Sequence, residues 1–239
     1  MEEQIKYKRV LLKLSGEALG KGASGILNYD ILKNICEKIK VCIDMGASFG
    51  IVIGAGNIWR GSLAKSMDRV RADQMGMTAT VINALALQDV LESMKIDTRV
   101  MTAIEMRQIA EPYIRNKALS HLNKGRVCIF GCGTGSPYFT TDTAAVLRAK
   151  EINADIVILG KNNVDAVYSA DPAKYPDAQK LANLNYQNIL NNSKLGVMDN
   201  TAASFSMDNN IPMLVIGIDD PENIIRALKG ESIGTLIEN

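Results

Sequence analysis

Short apolar runs recur along the chain, and most of them end next to glycine or a small polar residue. An uninterrupted apolar run is typical of a strand buried on both faces of a parallel sheet. The segments between the runs carry apolar residues at helical spacing, as in 28–45, which is followed by Gly46, a residue suited to end a helix. Strands that alternate with helices predict an α/β fold, here a three-layer α/β/α sandwich around a mainly parallel sheet. The predicted strands are 8–15, 49–53, 98–102, 126–130, 155–160, 213–216 and 234–237.

Helices and loops are predicted from caps and helix-breaking residues. A long helix rich in Ala, Leu, Met and Val is expected to open at Asp73 and to run to about Lys95. Because it is apolar over much of its surface, it is either central or part of a subunit interface. Pro112 is expected in the first turn of a helix that ends near Leu122, and 172–185 is expected to be a surface loop. Further helices are predicted in 143–148, 195–210 and 221–229.

Length and charge limit the class of protein. With 239 residues, the chain is long enough for one large domain, or two closely joined lobes, with a full core. Its 27 Lys and Arg against 26 Asp and Glu argue against a nucleic-acid-binding surface. No apolar run approaches the ~20 residues that a membrane span needs, and the first residues lack a signal-peptide core. We therefore expect a cytoplasmic protein that binds neither nucleic acid nor membranes.

Histidine and cysteine usage excludes several kinds of site. His121 is the only histidine and lies in a polar, helix-like stretch, so neither a histidine-based catalytic triad nor a multi-histidine metal site is expected. The cysteines are Cys36, Cys42, Cys128 and Cys132, and no two of them have the CxxC spacing. Buried reduced thiols are therefore expected rather than disulfides or a zinc site.

The segment 131–142 follows one of the predicted strands and leads into a predicted helix. A glycine- and hydroxyl-rich loop between a strand and a helix presents backbone N–H groups and the positive end of the helix to an anion. Thr140, Thr141 and Asp142 are each suitable N-cap residues, so the loop can close onto the helix. An ordinary strand-to-helix turn is the alternative interpretation.

Two more strand ends carry features of a phosphate site. Lys13 stands at the end of a buried strand, where its charge is costly unless an anion meets it; a lysine that extends to the surface is the alternative. The glycines of 54–57 permit close backbone approach to a ligand, and Arg60 just beyond them can hold a phosphate with two hydrogen bonds. The segment 16–22 lacks the spacing and the Ser or Thr of a P-loop. Since ligands of such sheets bind beyond the carboxyl ends of the strands, these loops are expected to converge on one site.

Four segments together resemble the amino-acid-kinase superfamily, and most closely its bacterial UMP kinase branch. They are 13–16, 54–61, 133–142 and 165–172, in the family's order and at similar spacing, and the resemblance covers essentially the whole chain. The resemblance implies the reaction ATP + UMP → ADP + UDP with Mg²⁺, in a cytosolic homohexamer that GTP activates and UTP inhibits. It also implies a single domain over 1–239, with a UMP-binding part over roughly 1–150 and an ATP-binding part over roughly 151–239.

The resemblance further implies a role for each matching position. The expected catalytic residues are Lys13, Asp142 and Arg60, with Asp142 ordering the reacting phosphates together with the lysine and the metal. UMP is expected to bind Ala55, Asp73, Thr134, Gly135, Ser136, Pro137, Tyr138, Phe139, Thr140 and Thr141. ATP is expected to bind Lys13, Leu14, Ser15, Gly16, Gly56, Arg60, Asn162, Tyr168 and Asp171. The loop implicated in activation by GTP matches Lys21, Gly22, Ala23, Ser24 and Gly25, and no protein residue is expected to ligate the metal directly.

Three features depart from the family's pattern, and the role of one further lysine is undecided. Ala55 stands where glycine is usual, which is harmless only if its φ is negative. Ser136 replaces a common asparagine, which puts a contact by an amide side chain there in question. The loop 21–25 is one residue shorter than expected. Lys161 follows a predicted strand, where it either joins the phosphate site or faces solvent.

The matching residues suit phosphoryl transfer without a general base. A nucleoside monophosphate has a second pKa near ~6, so its oxygen is an adequate nucleophile at neutral pH. Lys13, Arg60, Mg²⁺ and loop N–H groups can offset the repulsion between the two anionic substrates. Two alternatives stay open: a carboxylate or carbamate kinase of the same superfamily, and a non-catalytic nucleotide-binding or storage protein. Asp73 and Thr140 argue against the first, and the presence of Lys13 together with Asp142 argues against the second.

Overall fold

A nine-stranded sheet organises the described part of the chain. The computed structural model describes residues 5–23, 25–60, 66–170, 172, 174–175, 177–192 and 195–239, so the predicted site residues Ser24 and Asp171 lie outside the described residues. The strands are β1 Arg9–Leu14, β2 Ser48–Ile53, β3 Thr98–Thr102, β4 Glu111–Pro112, β5 Val127–Gly131, β6 Ile156–Lys161, β7 Val167–Tyr168, β8 Lys180–Leu181, β9 Asn183–Asn185, β10 Met213–Gly217 and β11 Thr235–Glu238. In the large sheet they lie in the order β4-β3-β5-β2-β1-β6-β10-β11-β9.

The sheet is mainly parallel, as predicted. The run from β4 through β10 pairs in parallel throughout, and β11 is antiparallel to β10. A separate antiparallel ribbon joins β7 to β8. Because β1, β2, β5 and β6 are parallel neighbours, the loops that leave them open at the same edge of the sheet.

Helices cover both faces of the sheet, which confirms the three-layer α/β/α prediction. The helices are α1 Gly16–Gly20, α2 Tyr29–Asp44, α3 Arg69–Ser93, α4 Arg115–Asn123, α5 Thr141–Glu151, α6 Tyr186–Asn191, α7 Asn200–Asn209 and α8 Glu222–Lys229. One apolar core joins the sheet to α1, α2, α3 and α8, and a second joins it to α4, α5, α6 and α7.

Alternate side chains of β1 enter different cores. Leu12 and Leu14 pack on the side of α2 and α3, whereas Leu11 packs on the side of α5. Successive side chains of a strand point to opposite faces, so Lys13 shares the face of Leu11. The Lys13 side chain is thereby directed to the layer that contains α5.

The long helix α3 begins earlier than the sequence predicts. The predicted opening at Asp73 is wrong, because Asp68, five residues upstream, caps the helix: its side chain accepts a hydrogen bond from the N–H of Arg71. Asp73 instead lies in the second turn of the helix. In the described residues, no helix is both long enough and apolar enough to cross a membrane.

Two other boundaries differ from the prediction. Pro112 does not start a helix: it pairs with Thr102 in the edge strand β4, where a residue without an N–H is tolerated, and α4 starts at Arg115. The segment 172–185 is not entirely loop, because β8 pairs with β7 and β9 adds a parallel strand beside β11. Strands of two or three residues leave no periodic pattern in the sequence, so they could not be predicted from it.

Candidate active site

Lys13, Asp142 and Lys161 come together at the carboxyl edge of the sheet. Lys13 lies near the end of β1, Asp142 in the first turn of α5, and Lys161 at the end of β6. The Nζ atom of Lys13 lies 2.8 Å from Oδ1 of Asp142, and the two side chains are only 11% and 15% exposed. Nζ of Lys161 donates a hydrogen bond of 2.6 Å to the carbonyl of Val197. Two lysines against one carboxylate leave net positive charge at this edge, which suits an anionic ligand.

Burial and charge act in opposite directions on Asp142. Burial raises the pKa of its carboxyl, but the positive charges of Lys13 and then Lys161 outweigh burial, and the net effect is a lowered pKa. Burial lowers the pKa of Lys161; Asp142 opposes that shift and Lys13 adds to it. Asp142 therefore stays ionised at neutral pH and holds together two ammonium groups that repel each other.

Thr140 caps α5. Its Oγ1 accepts hydrogen bonds from the N–H groups of Asp142 and Thr143, at 3.1 and 3.4 Å, and donates to Asp199. Asp199 also accepts from the hydroxyl of Thr143 and from the N–H of Ala202, which ties α5 to the start of α7. Because Thr140 is the cap, the Asp142 carboxylate has no capping role and faces the lysines.

The loop that follows β5 has an unusual backbone. Cys132 and Gly133 have φ values of 64° and 57°. A left-handed φ is uncommon for cysteine, so contacts from outside the loop must hold this turn. The hydroxyl of Thr80 on α3 accepts from the Cys132 N–H at 2.8 Å, and the buried Arg148 on α5 donates to the Gly133 carbonyl at 3.3 Å. Helices on both faces of the sheet thus fix the loop.

A pocket of about 170 Å³ opens beside this loop. Six of the residues predicted to bind UMP line it: Ala55, Asp73, Thr134, Phe139, Thr140 and Thr141. Four others that the structure also describes do not line it: Gly135, Ser136, Pro137 and Tyr138. The pocket therefore joins the loops after β2 and β5 to the first turns of α3.

Asp73 ties the first turns of α3 to the loop after β5. Its Oδ2 accepts from Nε of Arg69 and from the N–H of Tyr138, each at 2.8 Å. The Arg69 guanidinium also lies over the Tyr138 ring, 5.5 Å from its centroid. Tyr138 has a φ of 72°, so these contacts stabilise a backbone conformation that tyrosine rarely adopts.

The glycine loop after β2 packs directly against the start of α1. A Cβ atom at Gly16 would lie 2.6 Å from the Gly54 carbonyl oxygen and 2.7 Å from the Gly56 nitrogen, so only glycine permits this approach. Ala55 does not have a positive φ, so alanine fits this position without backbone strain. The side chain of Leu14, in contrast, is fully buried in the core, and Ser15 precedes α1.

Arg60 is paired with a carboxylate. Its guanidinium lies 2.8 Å from Oε1 of Glu17, with side chains 51% and 44% exposed, and its Nε donates to the Gly56 carbonyl at 3.3 Å. An ion pair this exposed is weak, so a bound phosphate can replace Glu17 as the partner of the guanidinium.

A second pocket of about 270 Å³ lies beyond β6. Lys161 and Tyr168 line it together with mainly apolar side chains: Val164, Ala166, Val167, Leu195, Val197 and Val215. Apolar walls with a few polar groups suit a flat heterocycle such as a purine. The phenolic hydroxyl of Tyr168 donates to Asp165 at 2.7 Å, which holds the ring in place.

Asn162 does not line this second pocket. Asn162 lines another depression, of about 250 Å³, together with Lys21 and Asp219. Lys21 belongs to the loop that the resemblance implicates in activation by GTP, called here the predicted effector loop. It forms an ion pair with Asp219 and donates to the Asn163 side chain at 3.0 Å. Burial raises the pKa of Asp219, but the hydrogen bond from Lys21, the N–H of Asn163 and the charge of Lys21 together outweigh burial, and the pKa is lowered. These contacts connect the predicted effector loop to the loop after β6.

A larger depression, of about 810 Å³, lies along β3 and β4. None of the predicted site residues within the described ranges lines it, and charges of both signs surround it, as Arg99, Arg107, Glu105 and Glu111 illustrate. We place the candidate active site at the strand ends instead, because the glycine loops and the net positive charge converge there.

Three residues of the site were missed by sequence reasoning: Asn83, Arg148 and Asp199. Each is polar and bonded to a loop or helix start of the site, and Asn83 and Arg148 are buried. For Asn83, an amide in the middle of a predicted apolar helix was a signal that could have been used. Asp199 and Arg148 resemble ordinary surface residues of helices in the sequence, so nothing local marks them.

The chain is similar to known proteins over nearly its whole length. The chain matches the amino acid kinase family over residues 8–217. The UMP kinase structure from Bacillus anthracis is 41% identical, with a TM-score of 0.92, and the match covers 97% of this chain and 96% of that one. The Ureaplasma parvum UMP kinase is 38% identical, with a TM-score of 0.92 and coverages of 98% and 100%. The uridylate kinase from Archaeoglobus fulgidus is 30% identical, with a TM-score of 0.75 and coverages of 95% and 99%.

Proposed function

The chain belongs to the amino acid kinase family, and we propose that it transfers the γ-phosphoryl group of ATP to UMP, giving ADP and UDP. The observation that carries this proposal is the Lys13–Asp142–Lys161 cluster beside a pocket that six of the residues expected to bind UMP line. UMP as the acceptor is supported by the similarity to UMP kinases of 41% and 38% identity over nearly the whole chain.

The reaction is an in-line displacement at the γ-phosphorus. A phosphate oxygen of UMP forms the new P–O bond, and the bond between the γ-phosphorus and the oxygen that links it to ADP breaks. Because the UMP phosphate is largely dianionic at neutral pH, no general base is required. The protein has to bring two anions together and stabilise the charge of the transition state.

Lys13 and Lys161 neutralise phosphate charge in this proposal. Asp142 orients both ammonium groups, since it contacts Lys13 directly and interacts with Lys161 through space. Arg60 exchanges Glu17 for a phosphate, and the N–H groups of Gly16 and Gly56 add donors from the backbone. Each such donor in a dry site is worth roughly 10²–10³ in rate.

Mg²⁺ is expected to be held mainly by the substrates. The described residues contain no cluster of three or more His, Cys, Asp or Glu side chains that could cage a metal ion. Mg²⁺ usually binds phosphates and water with one or two carboxylates at most. The ion supplies charge neutralisation across the phosphates, and Asp142 is the one carboxylate within the lysine cluster.

The two substrates are assigned to the two pockets described above. UMP occupies the pocket with Ala55, Asp73 and Thr140, in the part of the chain before about residue 150, and Gly135, Ser136, Pro137 and Tyr138 close over it. The adenine of ATP occupies the apolar pocket with Tyr168, in the part after about residue 151. Ser15 and Asn162 approach ATP from the ends of β1 and β6.

Regulation and assembly complete the proposal. GTP activates and UTP inhibits, and Lys21, Gly22, Ala23 and Gly25 form the part of the effector loop that the structure describes; its ion pair with Asp219 offers a connection to the ATP side. The protein acts in the cytoplasm as a homohexamer. These properties extend the resemblance to bacterial UMP kinases and are tested with the same assay.

The test is a coupled ADP-release assay with ATP and Mg²⁺. UMP, CMP, glutamate-type acids and no acceptor are compared, each with and without GTP or UTP, and size-exclusion chromatography with light scattering gives the oligomeric state. Turnover confined to UMP is the expected result. Turnover with a carboxylate and not with UMP would keep the kinase fold and overturn the acceptor.

A further inference from the structure

We propose that Asn83 is a positioning residue for phosphoryl transfer, since it turns the N–H group of Ala55 toward the reacting phosphates. The proposal rests on the function proposed above and deepens it. Asn83 lies in the middle of α3 and does not line the UMP pocket, so any effect on the reaction has to act through the loop after β2.

Asn83 is fully buried, with 0% of its surface exposed. Its Nδ2 donates to the Gly54 carbonyl at 2.7 Å and to Oδ1 of Asn57 at 2.9 Å. Its Oδ1 accepts from Nδ2 of Asn57 at 3.0 Å. A buried amide in an apolar helix is costly unless it is hydrogen-bonded, and here both polar atoms of the amide are used.

The bond to Gly54 determines where the next N–H points. The peptide bond between Gly54 and Ala55 is trans, so the carbonyl of Gly54 and the N–H of Ala55 point in opposite directions. Asn83 holds that carbonyl toward α3. The N–H of Ala55 therefore points away from α3, toward the opposite face of the sheet.

The opposite face is where the charged cluster lies. Lys13 is directed to the layer of α5, and Thr141 and Asp142 begin α5 there. Thr141 Oγ1 lies 3.8 Å from the position of a Cβ built on Gly54. Within the described part of the chain, the N–H of Ala55 donates to no protein acceptor, so it is a free donor next to the lysine–carboxylate cluster.

The amide pair also prevents the loop from rotating. Asn57 is bonded to Asn83 from one side and donates to the Ile26 carbonyl at 2.6 Å from the other. The backbone of Gly16 packs against the same Asn57 side chain. Without Asn83, the Gly54 carbonyl can turn toward the phosphates, which would replace a donor with a repelling acceptor.

The test compares Asn83→Asp and Asn83→Leu with Thr98→Val. Asn83→Asp keeps the shape and the acceptor for Asn57 but loses the donor to Gly54, and Asn83→Leu removes both. Thr98 is equally buried, donates to the Ile96 carbonyl and contacts neither glycine loop, so it controls for loss of a buried hydrogen bond. Circular dichroism and thermal unfolding establish which variants fold.

Kinetics separate positioning from a structural role. We expect kcat/KM for UMP to fall about 10- to 100-fold in both Asn83 variants, less than the roughly 10²–10³ for removal of one preorganised donor, because the Ala55 N–H is misdirected and not removed. The KM for ATP is expected to change less than about threefold, because Ala55 does not line the apolar pocket. Thr98→Val is expected to keep kcat/KM. A folded Asn83 variant with kcat/KM within about threefold of the wild type would overturn the proposal.

Hydrogen exchange keeps the two proposals distinguishable. Amide exchange of a peptide that covers 50–60 is expected to be faster in Asn83→Asp than in the wild type or in Thr98→Val, whatever the acceptor substrate is. If the wild type fails to phosphorylate UMP, the proposed function falls. If exchange of the loop is unchanged in Asn83→Asp, the positioning role of Asn83 falls, even where the wild type phosphorylates UMP.

Discussion

The Nζ atom of Lys13 on β1 lies 2.8 Å from Oδ1 of Asp142 at the start of α5. The pair joins the centre of the sheet to the first turn of α5, the helix that follows the loop after β5. With Lys161 nearby, Asp142 compensates for only part of the positive charge around it. In the proposed reaction, this arrangement would present positive charge to the phosphate groups before any nucleotide binds.

Lys13→Ala is expected to lower kcat about 10²- to 10³-fold, because it removes one preorganised positive charge from the phosphates. Removing one partner of a fully buried pair costs about 3–5 kcal/mol of stability, and we expect less here, since Lys161 still faces Asp142. Steady-state kinetics and urea unfolding measure the two effects. The control is Lys40→Ala, which breaks an exposed pair with Asp44 and should leave kcat unchanged. Unchanged turnover in Lys13→Ala would remove this lysine from the site.

Asp142→Asn is expected to lower kcat by at least about 10²-fold while α5 keeps its cap. Thr140, not Asp142, accepts the hydrogen bonds from the first N–H groups of α5. A role confined to capping would predict a loss of about 1 kcal/mol in stability and little loss of activity. The expected pattern is the reverse, and Asp44→Asn on the exposed surface of α2 is the matched control.

The stability that Asp142 contributes depends on pH in a defined direction. Its folded-state pKa is lowered by Lys13 and Lys161 against the effect of burial, so the unfolded state binds the proton more tightly. The contribution is thus present above the unfolded pKa of about 3.9 and is lost as pH falls through the lower folded pKa. Urea unfolding of wild type and Asp142→Asn between pH 3 and pH 7 should show a difference that shrinks toward pH 3. A difference that grows with acidity would contradict the ion pair.

The sequence was sufficient for the architecture and for most of the candidate site. Strands such as Ile156–Lys161 are apolar on both faces, so their position and the convergence of their loops follow from local patterns. The sequence could not tell that Asp68 rather than Asp73 starts α3, because both are acidic residues suited to a first turn. The roles differ through a tertiary contact: Asp68 caps the helix, whereas Asp73 accepts a hydrogen bond from the N–H of Tyr138.

Buried helix residues that hold the loops by hydrogen bonds were harder to predict. Asn83 and Arg148 are buried and bonded to loop carbonyls from different layers of the sandwich. Which carbonyl a buried side chain meets depends on how helices pack on the sheet, and helix packing is not encoded in any local motif. The same reason explains why the role of Lys161 could not be decided from the sequence. A lysine at a strand end enters the site only because β6 is next to β1.

The thiols are expected to be unreactive in the native protein. All four cysteines are free and buried, and burial raises the pKa of Cys36, Cys42 and Cys128 to about 12. Burial also raises the pKa of Cys132. Since the thiolate is the reactive form, labelling with Ellman's reagent at pH 8 should be slow and should become complete for four thiols in denaturant. Rapid labelling of any thiol without denaturant would contradict this packing.

Asp73→Asn is expected to raise the KM for UMP about tenfold with a smaller change in kcat. The carboxylate lines the pocket proposed for UMP and accepts from both Arg69 and the Tyr138 N–H. Asparagine therefore loses the charge that holds Arg69 and weakens the contact between α3 and the loop after β5. The KM for ATP should stay constant, because Asp73 does not line the apolar pocket. Asp68→Asn is the matched control on the same helix, since asparagine caps as well as aspartate. An equal rise in KM in both variants would mean that the start of α3, and not the Asp73 carboxylate, determines UMP binding.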